Sequence, residues 1–264
     1  MSTVTLAGTG SARYALRDSL TMLRRNLKHA LRYPSLTFAV VVMPVMMLLM
    51  FNYAYGNALG AGIGGGKYID YVAPGIVLMA ATSGSIVTAI GICTDMTEGI
   101  VNRFRTMAIS RSAFLAGHVV GSVIQTMIGL VLVVGAALAM GFRPNAGVVE
   151  WLAAIGLLLF VTIALTWISA GIGLVAKTVE SASNLPMPLQ FLPFIGSAIV
   201  PTDTMPTALR WFAEYQPFTP VIETLRGLLM GTEIGAVSAW SALGWCTGLT
   251  LIGYFWSRSV FYRR

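Results

Sequence analysis

The sequence predicts an all-α polytopic membrane protein with six transmembrane helices, an N-terminal amphipathic interfacial helix and short re-entrant outer helices between spans five and six. Hydrophobic residues make up 56% of the 264 positions and charged residues only 10%, whereas soluble domains carry about 25% charged residues. The apolar stretches are continuous and do not alternate with polar residues. They therefore favour membrane-spanning helices over a β-barrel.

Six stretches without Asp, Glu, Lys or Arg are each long enough to cross a membrane. They occupy 33–66 (with an apolar core at 36–55), 71–94, 112–142, 151–176, 181–202 and 234–257. We therefore divide the chain into a cytoplasmic basic amphipathic entry helix at 1–35, a six-span transmembrane domain at 36–257 and a cytoplasmic basic tail at 258–264.

The basic residues predict the orientation of these spans. Thirteen of the 17 Lys and Arg residues lie in the N-terminal segment, the loops after the second and fourth spans, and the C-terminal tail. By the positive-inside rule this distribution places both termini in the cytoplasm of a cell (inner or plasma) membrane. The excess of basic residues is therefore interpreted as a topology signal, and no nucleic-acid partner is expected.

The N-terminal segment has the pattern of a helix that lies in the membrane interface. Its leucines recur at helical spacing, and its basic residues fall largely off that stripe. Such a helix is held by anionic lipid headgroups, and a soluble partner is the alternative. Pro34 forces a turn into the first span. The leucine stripe comprises Leu16, Leu20, Leu23, Leu27 and Leu31.

The outer segment 203–233 combines four acidic residues with many apolar ones. Its apolar residues between 221 and 229 recur at helical spacing. We predict one or two short helices that dip into the outer leaflet or cap a cavity, with a simple extracellular loop as the alternative. Glu223 and Arg226 are three residues apart, so we expect them to pair on one helix face.

No catalytic, cofactor-binding or metal-binding residues are predicted. The nearest approach to a phosphate-binding loop, at 61–68, has Ala61 and Tyr68 where the motif requires Gly and Ser or Thr. His118 is the only Asp, Glu, Lys, Arg or His inside the six stretches, which argues against gradient-driven transport. We assign it a structural role, with a proton relay as the alternative. Cys93 and Cys246 lie in apolar runs and suggest no metal site.

Polar side chains in the second and fifth spans predict a mildly polar path with no fixed charge. Pro186, Pro188 and Pro193 are expected to kink the fifth span. Such a path suits amphiphilic, largely apolar cargo, whereas tight helix packing by small polar residues is the alternative. The candidate path residues are Thr82, Ser85, Ser183, Asn184, Gln190 and Ser197.

The cytoplasmic segment 95–111 begins with acidic residues and ends with basic ones, an order that suits a helix dipole. Ile100, Val101, Phe104 and Met107 form one apolar stripe if the segment is helical. This pattern predicts a docking helix for a soluble protein, and a solvated positive-inside loop is the alternative.

Two sets of short motifs, one in the cytoplasmic segment and one in the outer segment, stand out in this sequence. In the cytoplasmic segment the motifs are Glu98-Gly99-Ile100-Val101, Arg103-Phe104-Arg105 and Ser110-Arg111-Ser112-Ala113. In the outer segment they are Pro201, Met205-Pro206, Pro217, Thr219-Pro220, Glu223, Arg226-Gly227 and Gly231. In these motifs the chain resembles the type-2 ABC exporter permeases, and most closely their daunorubicin-resistance-like drug permeases. The resemblance extends over residues 13–257.

The resemblance implies a permease subunit of an ATP-driven exporter that moves hydrophobic or amphiphilic compounds, such as drugs or antibiotics, out of the cell. ATP and Mg would bind to separate ABC ATPase subunits, and a second permease, identical or related, would complete the membrane domain. Export of a lipid or lipid-linked saccharide by the same architecture is the alternative, and a gradient-driven transporter is a more distant one.

The resemblance also assigns roles to particular residues. The coupling residues that would seat in the ATPase are Glu98, Ile100, Val101, Arg103, Phe104, Arg105 and Met107. The residues of an outer gate would be Pro206, Pro217, Glu223 and Arg226.

Overall fold

The computed structural model describes residues 34–60, 66–98 and 111–263, and every regular element in these ranges is helical. The first half contains α1 (Pro34–Leu49), which continues into a π-helical turn (Met50–Ala54), α2 (Gly56–Gly60), α3 (Tyr68–Thr97), α4 (Arg111–Ala139) and α5 (Val148–Val175). The second half contains α6 (Val179–Asn184), α7 (Met187–Phe191), 3₁₀ turns at Leu192–Ile195 and Thr202–Thr204, α8 (Thr207–Tyr215), α9 (Phe218–Met230) and α10 (Ala236–Arg263).

Four helices in the described ranges are long and apolar enough to cross a membrane: α3, α4 from Leu115 onward, α5 and α10. They contain 25 to 30 residues, which corresponds to about 37–45 Å of helix against a hydrocarbon core of about 30 Å. They coincide with the second, third, fourth and sixth predicted spans. The chain is therefore a multi-pass membrane protein, and its described ranges are helical in every regular element.

The first predicted span corresponds to α1 and the π-helical turn that follows it. Pro34 is the first residue of α1, where its missing N–H costs no helical hydrogen bond. The helix packs against α3 and α4. The apolar stretch Val41–Ala54, which runs from α1 into the π-helical turn, is shorter than the four helices above.

The fifth predicted span differs from the expectation of one kinked helix. Instead, residues 179–204 form the short helices α6 and α7 and two separate 3₁₀ turns. Proline has no N–H and disfavours helical geometry in the residue before it, and Pro186, Pro188 and Pro193 all fall within this segment. We call residues 179–204 the broken segment.

Helix α3 occupies the centre of the fold. It contacts α1, α4, α5, α9 and the two short helices of the broken segment, and its side chains are buried along most of its length. A Cβ added to Gly173 on α5 would lie 2.5 Å from the carbonyl oxygen of Ala89 on α3, so glycine is what permits this close approach. Helix α10 packs on the outside of α5 and α9.

Candidate functional site

Two helices, α8 and α9, occupy the outer segment in which the apolar periodicity predicted short helices. Pro206 immediately precedes α8, and Pro217 immediately precedes α9. Gly231 ends α9 in the left-handed conformation, with φ at 66°, which glycine adopts without strain. The apolar stripe of α9 is buried against α3, α5 and α10.

Arg226 links α9 to α3 and to the broken segment. Its Nε donates to the carbonyl of Tyr71 at 3.1 Å, and its Nη2 donates to the carbonyl of Ser197 at 2.6 Å. Its guanidinium also lies over the Tyr71 ring, 3.8 Å from the centroid. Nearby, the hydroxyl of Tyr68 donates to the carbonyl of Ile199 at 2.8 Å. We call this set of contacts the outer latch.

The outer latch depends on the break in the fifth predicted span. Ser197 and Ile199 lie in a stretch without regular helix between the two 3₁₀ turns. Their carbonyl groups are therefore available to partners from other elements, and side chains of α3 and α9 supply the donors. The prolines that interrupt the helix thus leave carbonyl acceptors that connect the broken segment to α3 and α9.

The expected ion pair between Glu223 and Arg226 does not form between these two described side chains. Instead, Glu223 accepts a hydrogen bond from the hydroxyl of Ser238 on α10 at 3.0 Å. Arg226 donates to the carbonyl of Tyr71 on α3 and to the carbonyl of Ser197 in the broken segment, and its guanidinium lies over the Tyr71 ring. The helical spacing permits the pair, but neighbouring elements offer each side chain a different partner.

Thr82 and Ser85, two of the predicted path residues, are enclosed by helix packing. Thr82 Oγ1 donates to the carbonyl of Leu78 at 3.0 Å, and Ser85 Oγ donates to the carbonyl of Thr82 at 2.7 Å. Ser85 also accepts from Ser169 Oγ on α5 at 3.2 Å. Both residues are at most 1% exposed, so neither faces an open path in this structure. Their arrangement matches the packing alternative.

The path residues in the broken segment have more varied surroundings. Gln190 Nε2 donates to Ser83 Oγ on α3 at 3.0 Å. Ser183 is partly buried and bonds to the carbonyl of Glu180, whereas Asn184 is exposed. Ser197 Oγ is buried and has no hydrogen-bond partner. The structure therefore gives these residues different surroundings along the segment.

Gln216 is a buried polar residue that the sequence reasoning missed. It lies between α8 and α9 and is 4% exposed. Its Nε2 donates to the carbonyl of Leu192 at 2.9 Å, while its Oε1 is buried without a partner. The sequence did contain one signal for this residue, because its amide side chain stands between Tyr215 and Pro217 in an apolar stretch.

Asp95 and His118 form a second contact that the sequence reasoning missed. Helix α3 continues to Thr97, so Asp95 lies within it, and His118 Nε2 is 2.9 Å from Asp95 Oδ2. The pair joins α3 to α4 near the ends of these helices that lead into residues 99–110. This contact is compatible with the structural role assigned to His118. The sequence contained two signals for this contact. His118 is the single His inside the third predicted span, and Asp95 lies at the boundary of the second.

Of the predicted coupling residues, only Glu98 belongs to the described part of the chain. It follows the last residue of α3, is exposed, and its N–H donates to the carbonyl of Thr94 at 2.9 Å. The other coupling residues lie outside the described residues, as does the predicted entry helix up to residue 33. These others are Ile100, Val101, Arg103, Phe104, Arg105 and Met107.

Arg210 and Glu214 form an exposed ion pair on α8, with Nε 2.6 Å from Oε1. The hydrogen bond to Glu214 and the charge of its carboxylate raise the pKa of Arg210.

Among the described residues no group of three or more His, Cys, Asp or Glu is placed to hold a metal ion.

Comparisons with known proteins identify the family. The ABC-2 type transporter model matches residues 18–230. The chain is 29% identical over 248 residues to the daunorubicin resistance ABC transporter permease protein DrrB1 of Streptomyces coeruleorubidus, covering 92% of this chain and 87% of the relative. It is 22% identical over 242 residues to the probable doxorubicin resistance ABC transporter permease protein DrrC of Mycobacterium tuberculosis, with the same coverage.

A third similar protein comes from a different organism. The chain is 23% identical over 234 residues to the putative transport permease ycf38 of Porphyra purpurea, covering 87% of this chain and 80% of the relative. The resemblance seen in the cytoplasmic and outer motifs is confirmed by these matches, which extend over nearly the whole chain. The chain belongs to the ABC-2 type transporter family.

Proposed function

We propose that this chain is the membrane-spanning permease subunit of an ATP-driven exporter that moves hydrophobic or amphiphilic compounds, such as drugs or antibiotics, out of the cell. The observation that carries the proposal is the similarity to a daunorubicin resistance permease over 92% of the chain. The sequence lacks a complete phosphate-binding loop. In this proposal ATP and Mg therefore bind to separate ABC ATPase subunits.

The proposed topology has six crossings of the cell membrane and cytoplasmic termini. Four crossings are the long helices α3, α4, α5 and α10. We assign the fifth to α1 with its π-helical turn, and the sixth to the broken segment. Arg258 and Arg263, near the end of α10, support a cytoplasmic C-terminus by the positive-inside rule.

We propose that the cytoplasmic segment between α3 and α4 docks on the ATPase. Its coupling residues run from Glu98 to Met107. The two helices lead directly into this segment, and the Asp95–His118 contact joins them near its base. A movement of the ATPase would therefore displace both helices together, because packed helices transmit displacement with little internal deformation.

We propose that α8, α9 and the outer latch form the outer gate. Pro206 and Pro217 fix where its two helices begin, and Arg226 joins it to α3. Glu223 joins it to α10. The broken segment would contribute Ser183, Asn184, Gln190 and Ser197 to the path, whereas Thr82 and Ser85 would contribute only if α3 and α5 separate.

A second permease subunit, identical or related, would cover part of the exposed apolar surface. Helices α4 and α10 carry large exposed hydrophobic side chains, including Val131, Leu132, Trp240 and Ile252. In a membrane such faces contact either lipid or another helix bundle. Membrane lipids are accordingly the other expected partners.

The test is to purify the tagged chain from its native membrane in mild detergent and to identify the proteins that co-purify. We expect an ABC ATPase in the complex of the unaltered chain, and its loss in Arg103→Glu and Phe104→Ala. The matched control is Lys67→Glu, which reverses an exposed charge on the opposite, outer side. Absence of any ATPase under several gentle conditions would refute the proposal.

A specific observation favours lipid or lipid-linked saccharide export as the second candidate. An apolar groove of 390 Å³ lies between α5, α9 and α10, lined by Phe160, Leu228 and Leu243 among others. In the membrane a groove of this kind admits acyl chains. Reconstituted complexes distinguish the candidates, because ATP-dependent movement of a fluorescent lipid without movement of an amphiphilic dye would favour the second.

A further inference from the structure

The apolar groove of 390 Å³ lies between the first half of α5, α9 and the first turns of α10. Among the described residues that line it, none is charged and only Thr224 has a polar side chain. The hydroxyl of Thr224 donates to the carbonyl of Pro220 at 2.7 Å, so the groove offers little to a polar ligand. Apolar cavities of this kind stay free of ordered water. The lining residues are Ala153, Gly156, Leu157, Phe160, Thr224, Leu228, Ile234, Ala239 and Leu243.

Small residues on two helices create the hollow. Ala153, Gly156 and Phe160 follow one face of α5 at intervals of three and four residues, a distance of about 10 Å along the helix. A Cβ added to Gly156 would meet no atom within 4 Å, so the space beside this glycine is open. Ala239 contributes another short side chain from α10. The groove is therefore elongated and shallowly walled by small side chains.

The size of the groove selects a hydrocarbon chain over a helix of another subunit. A helix segment about 10 Å long and 10–12 Å across would occupy about 800–1,100 Å³, at least about twice the volume of the groove. A hydrocarbon chain is only about 4 Å thick, the contact distance between carbon atoms. Leu243, a lining residue on the membrane-spanning helix α10, is 42% exposed. The groove thus opens on a surface that the bilayer covers.

The charges beside the groove favour one class of lipid headgroup. Glu150 lies on α5 one turn before the first lining residue of that helix, and Glu233 directly precedes the lining residue Ile234. Arg143, in the turn before α5, donates to two carbonyl groups at the end of α4. Two carboxylates at this end of the groove disfavour an anionic headgroup and favour one that carries an amine.

We propose that the groove binds one acyl chain of a resident phospholipid with an amine headgroup, such as phosphatidylethanolamine, and that this headgroup lies beside Glu150 and Glu233. The chain supplies packing contacts that the small side chains of the groove do not supply. It thereby holds α9, which carries Arg226 of the outer latch, against α5 and α10. This lipid is a structural ligand and not cargo, so the inference does not rest on the proposed function.

The test is native mass spectrometry of the lipids that the full chain retains. The chain is reconstituted in vesicles of equal parts phosphatidylethanolamine and phosphatidylglycerol and is then extracted into an uncharged maltoside detergent. We expect the unaltered chain to retain phosphatidylethanolamine in preference to phosphatidylglycerol. Gly156→Leu should retain about tenfold less lipid, because the leucine occupies the space of several methylene groups. The double variant Glu150→Gln, Glu233→Gln should retain lipid without preference for the amine headgroup.

The matched control is Gly135→Leu, which adds the same side chain to α4, away from the groove, at a position where a Cβ meets no atom within 4 Å. It should retain as much lipid as the unaltered chain. The gel-filtration profile and thermal stability of each variant verify folding. Equal retention by Gly156→Leu and the unaltered chain would overturn the inference, as would absence of bound lipid from the unaltered chain.

The experiment separates this inference from the proposed function. If an ABC ATPase co-purifies but lipid retention does not depend on position 156, the groove assignment fails and the exporter proposal stands. If retention depends on position 156 and no ATPase is found, the exporter proposal fails and the groove is still a lipid site. Exchange of the retained lipid for isotopically labelled lipid only during ATP hydrolysis would identify it as cargo and overturn the structural assignment.

Discussion

Replacing Arg226 with Met tests whether the outer latch holds the outer end of the molecule together. The substitution keeps an unbranched apolar stem but removes the hydrogen bonds to the carbonyls of Tyr71 and Ser197. It also removes the charge above the Tyr71 ring. The carbonyl of Ser197 lies outside regular helix, so it has no helical partner to replace the lost donor.

The expected magnitude follows from these contacts. Hydrogen bonds from a charged donor contribute about 1.5–3 kcal/mol each, and a cation above an aromatic ring contributes about 0.5–2 kcal/mol. Removing a partly buried cation recovers part of the cost of its desolvation, which offsets much of this sum. We therefore expect the opening free energy of the broken segment near Ser197 to fall by about 2 kcal/mol.

Hydrogen exchange measured by mass spectrometry provides the assay. A loss of about 2 kcal/mol corresponds to roughly 30-fold faster exchange in peptides that contain Gly196 and Thr204, whose amides donate within this segment. Arg226→Lys should give an intermediate acceleration, because a lysine keeps the charge but has no planar fork to reach both carbonyls.

The matched control is Arg258→Met, which removes an exposed arginine whose guanidinium lies 5.6 Å from the Tyr262 ring on α10. It should leave exchange around Ser197 unchanged. If Arg226→Met exchanged at the rate of the unaltered chain in the broken segment, the outer latch would not be a stabilising contact and its role in the proposed gate would be lost.

Two further predictions concern the helix packing. Gly173→Ala should destabilise the chain by about 1–3 kcal/mol, because the added Cβ would lie 2.5 Å from the carbonyl oxygen of Ala89. In the control Gly244→Ala the added Cβ would lie in open space, so the temperature of the thermal transition should change by no more than about 1 °C. His118→Leu should lower the thermal transition by removing the 2.9 Å contact with Asp95, and it should reduce ATP-driven transport more than ATPase co-purification. Unchanged transport in this variant would contradict the coupling role of the contact.

The outer latch and the Asp95–His118 contact lie at opposite ends of the same helix. Tyr71 and Asp95 are 24 residues apart in α3, which is about 36 Å of helix. Helix α3 packs against several other helices, so we propose that a displacement of the end that carries Asp95 would also move the ring and carbonyl that hold Arg226. The central helix is therefore the physical connection between the proposed ATPase docking segment and the proposed outer gate.

The family and most of the membrane-spanning helices were predictable from the sequence. Continuous apolar stretches form helices in a membrane because backbone groups there need partners within their own segment, so α3, α4, α5 and α10 follow from local composition. The prolines of the broken segment disrupt helical geometry at their own positions and at the neighbouring residues, so an irregularity in the fifth predicted span was also predictable. The extent of that interruption depended on partners such as Ser83 and Arg226 on other helices.

Only the tertiary structure decided which partners the polar side chains have. Spacing along one helix predicted a Glu223–Arg226 pair, whereas the partners of Arg226 lie 155 and 29 residues away in the chain. The same limit explains why Asp95 was missed as the partner of His118. A sequence pattern reports neighbours on one helix, while burial, close approach and the shape of the apolar groove arise where segments distant in the chain pack together.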